Sequence, residues 1–428
     1  MRHILHITAH LGGGAGKAIS GIVKESRNFQ NTVILLEKPV DDHWCRECEN
    51  AGARIRIAPA QEELIRVIEQ ADVVVINWWA HPLMVGMISV FESVCARCVL
   101  WSHVNGLSYP VLTSGFLSLF DAVMLTSPCL PEEIKLENHG EAWNSGTFHL
   151  VYGIGDFDPK TVPAKMDYST GSSIRIGYIG TLDFAKMSPD YPEVCAGIRE
   201  KVPDAEFILC GNASERFENS FFENRDLRSS VSFAGFVRDV QQRLLTFDLF
   251  LYLLTKDNYA TTENAILEAM AAGLPVVCYD NPAESRILED QKTGILAASK
   301  EAAIETVVRL SSDAKERERL GRAARNRVIE NYDPEVNGRR FREILESVMN
   351  ISKHRHPFSA LIGRSIWERF LYFCGQVGGI SEDPDFERTG DLPEIFRSAS
   401  KGSPSHFLHY YEDEHLRTLA DRIEKEET

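Results

Sequence analysis

Two segments of this chain place residue types at spacings suited to chemistry on a phosphate or a sugar. The first is Gly12-Gly13-Gly14-Ala15-Gly16, directly after the apolar run Arg2–Thr8. Glycines between a strand and a helix start let backbone N–H groups approach a phosphate or sugar at a helix N-terminus. The run meets neither nucleotide fingerprint: Leu11 stands where a P-loop needs its first glycine, and Lys17 where G-x-G-x-x-G needs its last. A plain flexible connection stays open beside the ligand-binding reading. The second segment, Thr262–Val277, reads helix, glycine stop, strand. Glu263 and Asn264 fall in the first turn, followed by the good helix formers Ala, Leu, Glu and Met. Gly273 suits the position after the helix end, and Pro275 opens the next strand. Glu268 lies one turn in, flanked by small residues on a helix expected to be largely buried, where a carboxylate needs partners. Sugar hydroxyls serve, as for the acidic residue that holds ribose in dinucleotide folds; an internal cap or salt bridge is the alternative.

Other polar residues sit at strand ends. His103, in Leu100–Gly106, closes one apolar run, and a neutral imidazole there can hydrogen-bond a hydroxyl; a structural histidine is the other reading. Trp78-Trp79-Ala80-His81 closes the preceding run, and its aromatics can stack on a ligand or pack an edge. The C-x-x-C pairs Cys45/Cys48 and Cys95/Cys98 look like zinc half-sites but lie too far apart in sequence for the usual spacing. Buried free cysteines are the expectation.

Positioning these residues requires a frame. Apolar runs at Arg2–Thr8, Thr32–Leu36, Ala53–Ile57, Asp72–Trp78, Arg97–Ser102 and Asp121–Thr126 alternate with stretches of helical length. A second series follows the polar stretch Asp158–Ser173: Ile174–Gly180, Glu206–Cys210, Val231–Ala234, Asp248–Leu254 and Leu274–Tyr279. Such alternation predicts βαβ units and parallel sheets covered on both faces. Both halves open on a strand that runs into glycine, so two similarly built α/β domains facing across a cleft are expected, with ligands outside the carboxyl ends of the strands. Asp313–Asn331 reads as a solvent-facing helix, and Pro334 starts another that runs to about Met349. Beyond it, Phe358, Leu361, Ile362, Ile366, Phe370 and Phe373 recur at helical spacing, an apolar face for the protein itself or for a membrane surface. Arg364 and Arg369 on that helix keep the membrane reading open.

Asn264–Val277, followed by Asn281-Pro282-Ala283-Glu284-Ser285 and Lys292-Thr293-Gly294-Ile295-Leu296, resembles the donor-binding half of retaining GT-B glycosyltransferases of family 4, the group 1 type. The resemblance runs over Ile174–Tyr332 and more loosely over the N-terminal half; residues past about Ser352 lie outside it. It implies an α/β GT-B fold: residues 1–165 an acceptor-side Rossmann-like domain, 172–332 a nucleotide-sugar-binding one, 333–350 a helix crossing back to the first, and 352–428 a mainly helical extension. It further implies that Glu268 binds the nucleotide ribose, and that His103 faces the donor sugar. Lys186 is placed on the diphosphate, where an ammonium stabilises the charge that grows as the glycosidic bond breaks. His103 and Lys186 are thus the expected catalytic residues. Gly13, Gly14, Gly180, Thr181, Lys186, Gly211, Phe236, Val237, Glu263, Asn264, Ala265, Ile266 and Glu268 form the expected donor site, and Trp79, His81 and Asn105 the acceptor site. Two positions depart from the pattern. Ala260 stands eight before Glu268, where the family has a glutamate on the donor sugar; the nearest carboxylate is Glu263, where glycine is frequent. Thr181 replaces the family's arginine, for which Arg238 is a candidate substitute or a plain surface residue.

The function expected is retaining transfer of a sugar from a nucleotide-diphosphate-sugar to a glycan, small-molecule or lipid-linked acceptor, with no metal or other cofactor. A non-catalytic nucleotide- or glycan-binding relative partnering an active enzyme is the rival. A nucleotide-sugar epimerase of the same fold fits the Glu268 segment poorly. Composition narrows the field. The 428 residues are 44% hydrophobic, which suits globular domains. Lys+Arg total 46 against Asp+Glu 62, a net charge of −16 that argues against nucleic-acid binding. No run of about 18 apolar residues occurs, so no membrane-spanning helix is expected. Without a signal-peptide pattern, a cytoplasmic protein is expected, with peripheral contact at the inner membrane surface left open.

Overall fold

The computed structural model describes residues 1–129, 148–169, 173–222, 227–375 and 392–427. The expected domain start at 172 and part of the C-terminal extension fall outside these residues. The chain divides into two compact units. One comprises Met1–Phe157, Tyr259–Thr262 and Pro334–Thr428; the other comprises Asp158–Asn258 and Glu263–Asp333.

The first unit holds strands β1 (His3–Thr8), β2 (Gln30–Leu35), β3 (Arg54–Ile57), β4 (Val73–Trp78), β5 (Cys98–Ser102), β6 (Ala122–Leu125) and β7 (Phe148–Leu150) in one sheet, ordered β3-β2-β1-β4-β5-β6-β7. Every pairing is parallel. The central strands are continuous apolar runs because helices cover both faces: β4, Val-Val-Val-Ile-Asn-Trp, is buried at all its positions. The edge strand β3, Arg-Ile-Arg-Ile, is short, charged and largely exposed, which blunts pairing with another chain.

The second unit repeats the plan with β8 (Ile174–Ile179), β9 (Ala205–Cys210), β10 (Val231–Gly235), β11 (Leu249–Tyr252), β12 (Val276–Tyr279) and β13 (Ile295–Ala297), ordered β10-β9-β8-β11-β12-β13 and again parallel. Both sheets are Rossmann-like. In each, the winding reverses beside the opening strand, between β1 and β4 and between β8 and β11, which opens a crevice at the carboxyl ends there.

Several sequence expectations need correction. Strands β7 and β13 were not anticipated; each is three residues long, too short to show a period. The helix Ala314–Asn331 is not simply solvent-facing, since Leu320, Ala324, Val328 and even Arg317 are buried. The Arg317 guanidinium donates through Nη1 to the carbonyls of Leu310 and Ser311 and through Nη2 to that of Tyr168, while its Nε has no hydrogen-bond partner among the described residues. The apolar positions 358–373 form two helices, Phe358–Ile362 and Ile366–Cys374, broken at Gly363 with φ 92°. The capping box of Ser365 and Glu368 starts the second one afresh. Phe358, Ile362, Phe370 and Phe373 are buried, and Phe373 lies 5.0 Å from the Trp78 ring, so this face packs on the protein. Arg369 is buried too, donating to the carbonyls of Val85, Gly86 and Gly363, which removes it from any membrane-facing surface. Of the four C-x-x-C cysteines only Cys95 is exposed; the others are buried free thiols.

The helix Pro334–Val348 belongs with the first unit although it follows the second in sequence. Its Phe341 stacks on His6 at 6.0 Å and lies 5.7 Å from Trp101, and Asn337 exchanges hydrogen bonds with the backbone of Tyr152.

Candidate active site

In the second unit the decisive side chains gather at the carboxyl edge of the sheet. Strand β8 runs into Gly180, and β9 into Gly211. Both have positive φ, 155° and 150°, and a Cβ on Gly211 would lie 1.9 Å from the Gly180 carbonyl oxygen. Only glycine allows the two turns to approach so closely. The loop after Gly180 is pinned to the end of β11: Ser188 N–H donates to Leu253 O, and Thr255 N–H to Lys186 O. That pinning sets the Lys186 ammonium 3.0 Å from Glu263 Oε2 and 5.6 Å from the Tyr252 ring centroid. The Tyr252 hydroxyl donates to the same Glu263 oxygen at 2.5 Å. Desolvation, then the Glu263 charge, holds the Tyr252 hydroxyl in its protonated, donating form.

Glu263 is the N-cap of the helix Asn264–Ala271 and takes a left-handed conformation, φ 44° and ψ 69°. A non-glycine residue there costs about 1–2 kcal/mol, which explains why glycine suits this position in the resembling family. Glu268 lies one turn in and is partly exposed, while Ile266, Leu267, Ala269, Met270 and Ala271 are buried; Gly273 ends the helix with φ 78°.

Close by lies Glu284, within Asn281–Ser285, a stretch whose pattern alone assigns it no role. It is fully buried at the start of the short helix Glu284–Ile287. Asn281 Nδ2 donates to Glu284 Oε1 at 3.1 Å, and Oε2 has no hydrogen-bond partner among the described residues. Burial pushes its carboxyl up to about 7, aided by the Glu263 charge and opposed by Asn281 and Lys186. The remaining expected donor residues are less committed. Thr181 and Phe236 are exposed, and Val237, Asn264 and Ala265 are partly exposed. Thr181 accepts the Tyr178 hydroxyl on its carbonyl, and Arg238 is an exposed surface arginine.

In the first unit the helix Gly13–Glu25 starts inside the glycine run, with Gly13 at φ 52°. A Cβ on Gly13 or Gly14 would meet nothing within 4 Å, whereas one on Gly16 would strike Trp44 and Leu11. His103, just past β5, packs on Trp101 at 4.7 Å and Trp79 at 6.1 Å, with Nε2 3.4 Å from Asn77 Oδ1. Burial pulls it down to about 3, so the ring is a neutral hydrogen-bonding group.

The expected acceptor residues divide. Trp79 is partly exposed. His81 is buried: its Nδ1 accepts from Leu83 N–H and caps the helix Pro82–Met87. Its proton therefore sits on Nε2, 3.4 Å from Glu37 Oε1. Burial, with the His406 and His10 rings nearby, pulls His81 down to about 2. Asn105 is buried and structural in its contacts: its Nδ2 donates to Ala260 O at 2.9 Å, and its Oδ1 accepts from Leu107 N–H. His10, Glu37, His406 and Tyr410 complete the His81 cluster and were not foreseen. His406 and Tyr410 come from the C-terminal extension, and no local pattern links them to β2 or β4.

The arrangement at the second sheet can be set against known proteins. Residues 169–327 match the family model of Glycosyl transferases group 1. This group 1 segment contains Gly180, Lys186, Gly211, Tyr252, Glu263, Glu268 and Glu284. The chain is 23% identical over 201 residues to the putative glycosyltransferase EpsD of Bacillus subtilis strain 168, covering 44% of this chain and 50% of EpsD. It thus spans half the length of that curated relative. Its fold is that of Anabaena HepE, solved in complex with UDP-glucose, with a TM-score of 0.64 at 17% identity over 81% of this chain and 100% of HepE. A glycosyltransferase from Rickettsia africae superposes with a TM-score of 0.62 at 14% identity over 81% of this chain and 98% of its own.

Proposed function

We propose that the protein is a retaining, metal-independent glycosyltransferase of the hexosyltransferase type, which moves a sugar from a nucleotide diphosphate to a glycan, small-molecule or lipid-linked acceptor. The observation that carries this reading is the Lys186 ammonium beside Glu263, at the start of the helix Asn264–Ala271 and inside the group 1 segment. A diphosphate there meets a fixed cation and the positive end of a helix. It competes with Glu263 for Lys186. Released from that pair, the Glu263 carboxylate keeps the Tyr252 hydroxyl and can accept a donor-sugar hydroxyl, the task that the family gives to the glutamate missing at Ala260. Glu268 takes the ribose. Glu284, with its unpartnered Oε2, offers a buried carboxyl to the same ligand. HepE was solved with UDP-glucose, so uridine diphosphate sugars are the first donors to test.

On this reading His103 and Trp79 serve sugar hydroxyls and rings as neutral groups, and retention follows from front-face departure assisted by the leaving phosphate. A lipid-linked acceptor implies peripheral contact of a cytoplasmic protein with the inner membrane surface. No helix among the described residues is long and apolar enough to cross a membrane.

A second reading rests on Ala260 and Thr181: a nucleotide- or glycan-binding relative that partners an active enzyme. Purified chain treated with EDTA and offered a panel of nucleotide sugars separates the two. Slow donor hydrolysis, or transfer with an unchanged anomeric configuration by NMR, supports the enzyme. Thermal stabilisation by nucleotide without turnover on any acceptor supports the binding module. Unchanged nucleotide affinity in Glu268→Ala would sink this donor site.

A further inference from the structure

The C-terminal extension reaches the carboxyl edge of the first sheet through one tight turn. Lys401 and Gly402 both take positive φ, 62° and 78°. Gly402 fixes the turn: its carbonyl accepts the buried Tyr109 hydroxyl, and a Cβ on it would lie 3.0 Å from the Ala80 carbonyl oxygen, in the loop after β4. Glycine or asparagine suits a left-handed position better than lysine does. Strain of this kind persists where the surroundings hold it, and it gathers at ligand sites. The Lys401 side chain is exposed, with Nζ 5.8 Å from the Tyr259 ring centroid, and among the described residues it pairs with no carboxylate.

Neutral rings surround that ammonium. His406 accepts Gly402 N–H on Nδ1 at 3.0 Å, so its proton sits on Nε2, and this N–H has no acceptor among the described residues. The His406 ring lies 4.6 Å from His81 and 5.6 Å from Tyr410. His10 lies 5.7 Å from His81 and 5.6 Å from the partly exposed Trp79. Burial holds His10, His81 and His406 below the ordinary histidine value, and the Lys401 charge acts in the same direction on all three. They offer hydrogen bonds and no charge. The carboxylate of the cluster, Glu37, is already engaged: the Tyr410 hydroxyl donates to its Oε2, and His81 Nε2 lies 3.4 Å from its Oε1. Lys401 is left as a cation without a counter-charge, beside a ring N–H without an acceptor.

We propose that Lys401 and His406 form a subsite for a negatively charged group, a carboxylate or a phosphate, carried by the acceptor sugar. This rests on the transfer reading above and adds which acceptors the protein takes. An ammonium with a neutral N–H beside it favours an acidic sugar over a neutral one, because hydrogen bonds to a charged group are the stronger kind. Trp79, joined to His406 through His10 and His81, offers its face to the sugar ring. A chain of net charge −16 repels anions at a distance, so a local cation is what admits one. The group 1 segment ends at 327, so the extension, and not the shared fold, selects the acceptor. His81 and Asn105 are engaged in the protein's own contacts, and Lys401 and His406 stand open in their place.

The test titrates the full-length chain at low ionic strength with glucose, glucuronic acid and glucose 1-phosphate, read by saturation-transfer NMR. At least one acidic sugar is expected to bind about tenfold or more tightly than glucose, the effect of one hydrogen bond to a charged group. Which of the two binds more tightly tells a carboxylate acceptor from a phosphate one. Each titration is repeated in Lys186→Ala, which removes the cation of the diphosphate site, and the preference is expected to remain. Adding Lys401→Gln is expected to erase it and adding Lys401→Arg to keep it; the residue is exposed, and circular dichroism checks that each variant is folded. Equal affinity for the three sugars would overturn the proposal. So would a preference that Lys401→Gln leaves unchanged, or one that Lys186→Ala alone abolishes. A Lys401-dependent preference in a chain that turns over no nucleotide sugar would overturn the transfer reading and leave the anion subsite standing.

Discussion

The carboxyl edges of the two sheets share a topology and differ in chemistry. At the first sheet buried imidazoles and indoles predominate around the Glu37 carboxylate, and burial keeps the rings neutral: it pulls His103 to about 3, His81 to about 2 and His406 to about 4. At the second they are charged or poised to charge: the Lys186–Glu263 pair, with Glu284 pushed up to about 7. Parallel strands deliver residues to a crevice, but what they deliver is set by burial and by the neighbours in the loops. Neutral rings suit the hydroxyls and faces of sugars, and a fixed cation suits a diphosphate.

That contrast can be broken at four places. Lys186→Ala should cost the most, about 10²–10³-fold in turnover, the usual loss for one fixed group facing developing charge. Nucleotide affinity should fall with it, while replacing His103 by Gln should leave nucleotide affinity near wild type. Steady-state kinetics with titration calorimetry would show this, and equal effects on nucleotide binding would erase the distinction.

Glu284 provides the next test, through pH. Its folded value lies above its ordinary 4.5, so the native state holds a proton that the unfolded chain has released. Its contribution is complete below about 4.5 and is lost as pH rises through 7, by about 3 kcal/mol. The depressed histidines of the first unit act in the reverse sense. Their contribution is complete above 6.5 and is lost as pH falls toward their folded values. Glu284→Gln should therefore flatten the alkaline decline of the second unit and leave the acid sensitivity of the first. Hydrogen exchange at pH 5 and pH 7.5, read unit by unit, checks both signs.

Glu263→Gly sets two effects against each other. It relieves left-handed strain of about 1–2 kcal/mol but removes one carboxylate partner of the nearly buried Lys186 ammonium, a loss of about 3–5 kcal/mol. A net destabilisation of about 2 kcal/mol is expected, along with tighter diphosphate binding because Lys186 is released. Denaturant melts and nucleotide titration of one preparation decide it; weaker binding would mean that Glu263 supports the phosphate site.

The smallest effect is expected at Gly14. A Cβ there meets nothing within 4 Å on a helix start, so Gly14→Ala should add up to about 1 kcal/mol of stability. If the backbone approaches a ligand at that point, donor affinity will drop although the fold is firmer. Gly211→Ala, by contrast, drives a Cβ into the Gly180 carbonyl and should unfold the turn, as a melt would report.

Much of this was legible in the sequence. Eleven strands and both glycine turns could be read because buried parallel strands are continuous apolar runs, and the segment 262–277 because helix formers, a left-handed glycine and a following strand each leave a local mark. Glu268 came with that segment, and Lys186 with the resemblance over Ile174–Tyr332. Glu284 carried a weaker signal, a glutamate within Asn281–Ser285, and only its burial reveals the raised proton affinity. The single amphipathic helix read over 358–373 failed at Gly363, because periodicity counts apolar positions and does not see a backbone break.

The sequence by itself determined two parallel α/β sheets and the loops that end their strands, because period and turn chemistry act within a few residues. Tertiary structure alone decided which groups are charged and which residues meet across long separations. Lys186 meets a carboxylate 77 positions away, His81 lies against His406, and Asp121 against His354 and His356. Desolvation and Coulomb forces depend on distance in space, and only packing sets that distance.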